Sequence, residues 1–205
     1  MELDKIKNKG QARLFESDYL EIMSKTHPIV IYSIYFPIMV LLLYFGYAYK
    51  GLSIGIEIGL FLLGMLAWSF LEYMLHRYLF HYLAKSKKTQ NFIYTLHGVH
   101  HEYPRDKERL FMPPIPSLIV AVVLFSIFSM LLDIHVYAFF PGFLFGYLMY
   151  GSMHFAIHAF APPRFLKALW RNHHLHHYKC PDKGFGVSSV LWDIIFRTVP
   201  KKDEL

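Results

Sequence analysis

The residues in this chain best equipped for chemistry are His97, His100 and His101, whose i, i+3, i+4 spacing places three imidazoles together on a helical turn. They have company. His76 and His81 lie upstream, His154 and His158 are four apart, and His173, His176 and His177 repeat the first spacing. Ten histidines in four clusters point to metal binding. Neutral imidazole suits iron, zinc, copper and nickel alike. A closed structural zinc site uses only four ligands, so ten candidates are better matched to two ions with about five nitrogens each.

Neighbouring residues sort around this set. Glu72 sits one turn before His76 and is a candidate acceptor for an imidazole N–H, an arrangement that fixes the ring's tautomer. The alternative for Glu72 is an ion pair with an arginine at the membrane interface. His174 follows His173 by one residue, about 100° around the helix, and is expected at the surface or behind the ligands. His76 and His81 are five residues apart, about 140° on an ideal helix, so both reach one ion only if the helix ends or bends between them. His27, before Pro28, reads as structural, and His135 falls at the opposite end of the fold from the clusters.

The elements that must position these groups are membrane helices. Of 205 residues, 55% are hydrophobic, more than an ordinary soluble domain of this size carries. Residues 29–49 and 115–132 contain no Asp, Glu, Lys or Arg, and each run is close to the ~20 residues that cross a bilayer core. Further spans are expected at about 52–75, with Glu57 and Glu72 inside it, and at about 137–160. Glu57 lies far from the histidines, and a neutral or interfacial carboxyl is expected there. The fold expected is an all-α membrane protein: four transmembrane helices with a cytosolic His-rich helical cap holding a dimetal site. The cap comprises residues 76–114 and 161–205 of a four-helix membrane unit at 29–205, preceded by a cytosolic amphipathic segment at 1–28.

Charge supports that orientation. Five Lys/Arg fall in residues 1–27, seven in 76–114 and eight in 161–205, whereas only Lys50 lies in a loop on the other side. This is a positive-inside pattern with both termini cytosolic. The net charge of +6 comes with no basic stripe or nucleic-acid motif, so nucleic acid is not expected as a partner. The lone Cys180 offers no disulfide framework. Residues 1–27 are polar and charged, so no cleavable leader is expected there and the first span is expected to act as the insertion signal. An amphipathic helix is expected within 12–23, helical structure over 165–178, a turn at Gly184-Phe-Gly186 and a last short helix over 187–198. The terminal Lys202-Asp-Glu-Leu205 spells a lumenal retention signal, which a cytosolic end cannot present to a lumenal receptor.

Taken in order, Gly10-Gln-Ala-Arg-Leu-Phe15, Leu71-Glu-Tyr-Met-Leu-His-Arg-Tyr-Leu-Phe-His81, His97-Gly-Val-His-His101, Pro113-Pro-Ile-Pro, His154/His158, His173/His176/His177 and Gly184-Phe-Gly-Val through Leu191-Trp-Asp193 closely resemble the fatty acid 2-hydroxylase family. That family lies within the membrane fatty acid hydroxylase/sterol desaturase superfamily. The resemblance covers almost the whole chain. It implies four membrane helices under a cytosolic cap, and O2-dependent hydroxylation at C2 of long-chain acyl groups, chiefly those of ceramides and sphingolipids. It places the metal ligands on the ten clustered histidines and a catalytic role on Tyr150. Two departures stand out. Only about 28 residues precede the first span, too few for the cytochrome b5 domain of yeast and mammalian members, so electrons are expected from a separate donor of cytochrome b5 or ferredoxin type. Gly151 also stands where members tend to show Asp.

An unactivated C–H bond yields to no side-chain acid or base, so the oxidising power has to come from metal and O2. That favours two Fe ions over zinc as the working pair, with zinc an alternative occupant of the purified protein. The lipid substrate is expected from the bilayer. The rival readings are sterol or carotenoid hydroxylation or desaturation on the same scaffold, and a non-catalytic zinc-binding or zinc-transporting membrane protein. Transporters place their ion ligands near the bilayer midplane, whereas these ligands gather at one basic face. A eukaryotic chain of this kind is expected in the ER membrane and a bacterial one in the inner membrane.

Overall fold

The computed structural model describes residues 6–201, all of whose regular structure is helical. The retention-like Lys202–Leu205 tetrapeptide lies outside the described residues. Four long helices dominate. Helix α2 (Pro28–Lys50) opens with Pro28 at the first position, where a missing N–H costs nothing, and ends at Gly51 with φ 71°. His27 caps it by accepting from the Ile29 N–H at 3.2 Å, the structural role expected of it. Helix α3 (Ile54–Met74) begins at Ser53, whose hydroxyl accepts from the Ile56 N–H. Helices α6 (Pro114–Leu132) and α7 (Val136–Ala159) are joined by a 3-10 turn at Asp133–His135. Among the described residues three stretches are long and apolar enough to cross a membrane, namely Pro28–Lys50, Ile54–Phe80 and Lys107–Ala159, the last containing both α6 and α7.

Helix α7 is the buried centre of the bundle. Its Phe139, Phe140, Phe143, Leu144 and Leu148 pack with Ile31, Tyr35 and Met39 of α2. The outer faces are apolar too: Leu62, Val122 and Met130 are 57%, 64% and 80% exposed. In water such faces would drive association, whereas lipid tails solvate them. Lipid then offers no hydrophobic drive between helices, and close backbone approach has to hold them together. The α3–α7 seam does this with Gly64 and Gly142. A Cβ on the first would overlap the Phe139 carbonyl, and one on the second the Phe61 carbonyl.

The remaining helices are short: α1 (Asp18–Met23), α4 (Lys87–Ile93), α5 (Val99–Glu102), α8 (Lys167–Tyr178) and α9 (Leu191–Ile195). Two differ from expectation. In the amino-terminal segment only α1 is helical, because polar contacts draw the flanking chain onto the 102–109 loop. Lys7 N–H donates to Glu102 O and Thr26 N–H to Glu108 O, each at 2.7 Å, while buried Arg109 pairs with Glu21 and Asp106. The last helix is limited to Leu191–Ile195. Residues 187 and 188 are held away from it by Glu72, and Arg197 closes it with φ 58°. Glu57 sits in the first turn of α3, at the end opposite His76.

Candidate metal centre

Every clustered histidine reaches one place. The structure sorts the ten into two groups of five whose ligand atoms lie within 4.8 Å of one another: His76, His81, His97, His101 and His176, and His100, His154, His158, His173 and His177. Nine of these rings come from residues adjoining or within α3, α5, α7 and α8, and His81 follows the turn after α3.

The local helix geometry explains the sorting. Residues Leu75–Phe80 form a π-helical turn, as do Tyr94–Gly98. A π turn repeats at i+5 instead of i+4, which brings His76 and His81 to the same side. The i, i+4 pairs His97/His101, His154/His158 and His173/His177 each stay within one pentad, as neighbours on one helix face do. His100 and His176, the odd members of the two triads, turn to the other pentad. The triads therefore do not each serve one ion: α5 and α8 contribute to both groups. Stacked rings of His101 and His177, 4.2 Å apart, mark the boundary between them.

The nitrogen spacing tests the fit to metal. In the second pentad His154 Nε2 lies 2.8 Å from His100 Nε2, His100 3.0 Å from His177, His177 3.1 Å from His173, and His173 2.9 Å from His158. In the first, His97 and His101 are 3.0 Å apart and His101 and His176 3.2 Å. Two imidazoles bound at about 2.1 Å and at right angles would place their nitrogens about 3.0 Å apart, against about 3.4 Å for a tetrahedral pair. The observed spacing is that of nitrogens close enough to share one ion. Hydrogen bonding alone would require donors and acceptors to alternate along five Nε2 atoms, whereas one cation takes all five lone pairs.

Burial and tautomer prepare the rings. His173, His176 and His177 are at most 1% exposed. Burial, reinforced by neighbouring imidazoles, holds His97, His100, His101, His173, His176 and His177 well below the usual histidine range, and His81 is pushed down to about 2. They are therefore neutral, the form that ligates metal. His76 Nδ1–H donates to the Phe185 carbonyl at 2.6 Å and His176 Nδ1–H to the Lys183 carbonyl at 2.8 Å. Each bond leaves the Nε2 lone pair of its ring free to face the centre.

Glu72 is buried beside this site but bonds no histidine. Its carboxylate accepts from the Val187 and Ser188 N–H groups at 2.8 and 2.9 Å and from the Ser188 hydroxyl. The acceptors that orient imidazoles are backbone carbonyls, which no sequence pattern for side-chain partners exposes. Asp193, in the Leu191-Trp-Asp193 stretch, is a second buried carboxylate, and no spacing to a histidine marks it in the sequence. His174 is exposed and turned away, its Nδ1–H donating to Trp170 O at 2.7 Å. Tyr150 stacks on His154 with ring centroids 5.6 Å apart and stands 6.2 Å from Trp68, between the bundle interior and the second pentad.

Gly151 has a physical reason. A Cβ there would overlap the ring of Phe111, a residue 4% exposed. Gly151→Asp should therefore cost about 1–3 kcal/mol for overpacking, and more for the buried carboxyl. A thermal melt in detergent should show the loss. In a Phe111→Ala background the same substitution should cost less than in wild type, and strict additivity of the two substitutions would refute the steric account.

Comparison with known proteins agrees with this geometry. The fatty acid hydroxylase family matches residues 61–198, a range that includes all ten histidines. A dihydroceramide fatty acyl 2-hydroxylase of Arabidopsis thaliana is 40% identical over 192 residues, covering 92% of this chain and 80% of that protein. The ceramide very long chain fatty acid hydroxylase of Saccharomyces cerevisiae is 38% identical over 194 residues, and the chain spans 50% of its length. The solved structure of full-length scs7p, in which only the hydroxylase domain is visible, superposes with a TM-score of 0.87 at 38% identity, covering 95% of this chain and 74% of that one. A match of this extent over the helices and both pentads makes the chain a member of the fatty acid hydroxylase family.

Proposed function

We propose that this protein is an O2-dependent 2-hydroxylase of long-chain fatty acyl groups, acting on ceramide or related sphingolipids at a pair of iron ions. The observation that carries the reading is the convergence of ten imidazoles, eight buried and two half-buried, into two adjacent pentads at one end of an apolar helix bundle. His76, His81, His97, His101 and His176 would hold one ion, and His100, His154, His158, His173 and His177 the other. Iron held there would supply the O2 chemistry that inserts one oxygen atom into a C–H bond. The reaction consumes O2, two electrons and two protons, and yields the 2-hydroxy acyl product and water. A separate redox protein supplies the electrons.

The chain's own part is placement. Four membrane spans, α2, α3, α6 and α7, carry the histidine cap on the cytosolic side with both termini, residues 29–205 forming the hydroxylase unit and 1–28 a cytosolic segment. The substrate enters from lipid with its headgroup toward the cap, and Tyr150, against His154, positions its reacting end. The membrane is the ER in a eukaryote and the inner membrane in a bacterium. Expression in cells devoid of 2-hydroxylated sphingolipids, followed by mass spectrometry under isotopically labelled O2, should show acyl chains that have gained one labelled oxygen at C2. Label from water, or oxidation of sterol or carotenoid in place of acyl chains, would refute the assignment.

A further inference from the structure

Among the described residues, the loop at 183–188 hydrogen-bonds imidazoles of the first pentad. Residues 183–188 pass beside His76 and His176 and present them the Phe185 and Lys183 carbonyls at 2.6 and 2.8 Å. The loop is pinned from two sides. Glu72 accepts from the Val187 and Ser188 N–H groups, and Asp193 accepts from Phe185 N–H at 3.0 Å, Gly186 N–H at 2.8 Å and the Thr198 hydroxyl at 2.7 Å. Gly186 is required for this, since a Cβ there would overlap the Ser189 carbonyl oxygen and lie 2.8 Å from Asp193 Oδ2. Tyr73, bonded to Thr198 Oγ1 at 2.9 Å, ties the assembly back to α3. In the second pentad His154 has the Leu110 carbonyl as a partner, but the Nδ1 atoms of His100, His173 and His177 are buried with no protein acceptor among the described residues.

The geometry points to Glu72 and Asp193 as a two-carboxylate clamp that acts through the Lys183 and Phe185 carbonyls to fix the tautomers of His76 and His176, making the first pentad the tighter of two unequal metal sites. This rests on the dimetal reading above. The physical basis is preorganisation: a ring whose Nδ1–H is already bonded loses less freedom on ligation and is the more basic at Nε2. His100, His173 and His177 of the second pentad have to settle their tautomers as the ion arrives.

The test is a Co2+ titration of the full chain in detergent after metal removal, with a competing chelator and with imidazole-bound Co2+ followed by absorbance. Wild type should bind two Co2+ in two classes, with His81→Ala abolishing the tight class and His158→Ala the weak one. Asp193→Asn should weaken the tight class about 10–100-fold and leave the weak class unchanged. Thr198→Val removes one bond to the same carboxylate and gives a smaller shift of the same selectivity, which carries the test if Asp193→Asn fails to fold. Two classes that shift equally in both variants, or not at all, would overturn the clamp while leaving the dimetal reading intact. Failure of wild type to bind Co2+ at either pentad would overturn both.

Discussion

In cells expressing the His100→Ala variant, 2-hydroxy acyl product should fall at least about 100-fold below wild type, with protein level unchanged and metal content reduced from two ions per chain toward one. His100 sits between two imidazoles of its pentad, with its Nε2 2.8 Å from that of His154 and 3.0 Å from that of His177. Alanine removes a nitrogen no neighbour can replace. Loss of a group that merely orients a ligand costs 10–100-fold in affinity or activity, and loss of the ligand itself costs more. Lipid mass spectrometry with elemental analysis of the purified variant measures both quantities. Full product from a chain lacking this imidazole would remove the second pentad from the chemistry.

The metal-free protein should lose stability steeply as pH falls below about 6.5. In the unfolded chain each histidine titrates near 6.5, whereas burial holds the folded-state values of His81, His97, His100, His101, His173, His176 and His177 far lower. Above pH 6.5 these groups are neutral in both states and contribute no pH dependence. Below it the unfolded state binds protons that the folded state refuses, so stability drops by about 1.4 kcal/mol per pH unit for each such group. Several groups acting together over two units match a whole domain's stability of about 5–15 kcal/mol. Melting temperatures of the metal-free chain from pH 8 to 5 should therefore collapse in the lower half of that range. Added metal, which binds only the folded site, should shift the collapse to lower pH. A flat profile without metal would mean that the rings are solvated and the site is not formed before metal arrives.

Much of this site is legible in the sequence because helical spacing is a one-dimensional record of a three-dimensional face. The pairs His154/His158 and His173/His177 are where periodicity places them, and the charge-free runs mark α2 and α6 to within a residue or two. The allocation of ligands to ions was not legible, since it depends on how α5 and α8 are rotated between their neighbours. The five-residue step from His76 to His81 did carry a signal: on an α-helix it separates the rings, so a shared site demanded a break, which the π turn supplies. Glu72 illustrates the opposite case. Its position one turn from His76 suggested a direct bond, but the loop that arrives from more than a hundred residues away competes for the carboxylate with two N–H groups and a hydroxyl. Backbone acceptors such as Phe185 O have no side-chain signature at all.

His100 and His101 are adjacent in the chain, as are His176 and His177, yet the members of each pair serve different pentads. Two ions seated there would be held at a separation ruled by backbone pitch on both α5 and α8. Rotamer changes could tilt a ring, but only inserting or deleting whole residues could move one ion relative to the other. The distance across which the pair can cooperate is thus a fixed gauge, cut twice into the same molecule.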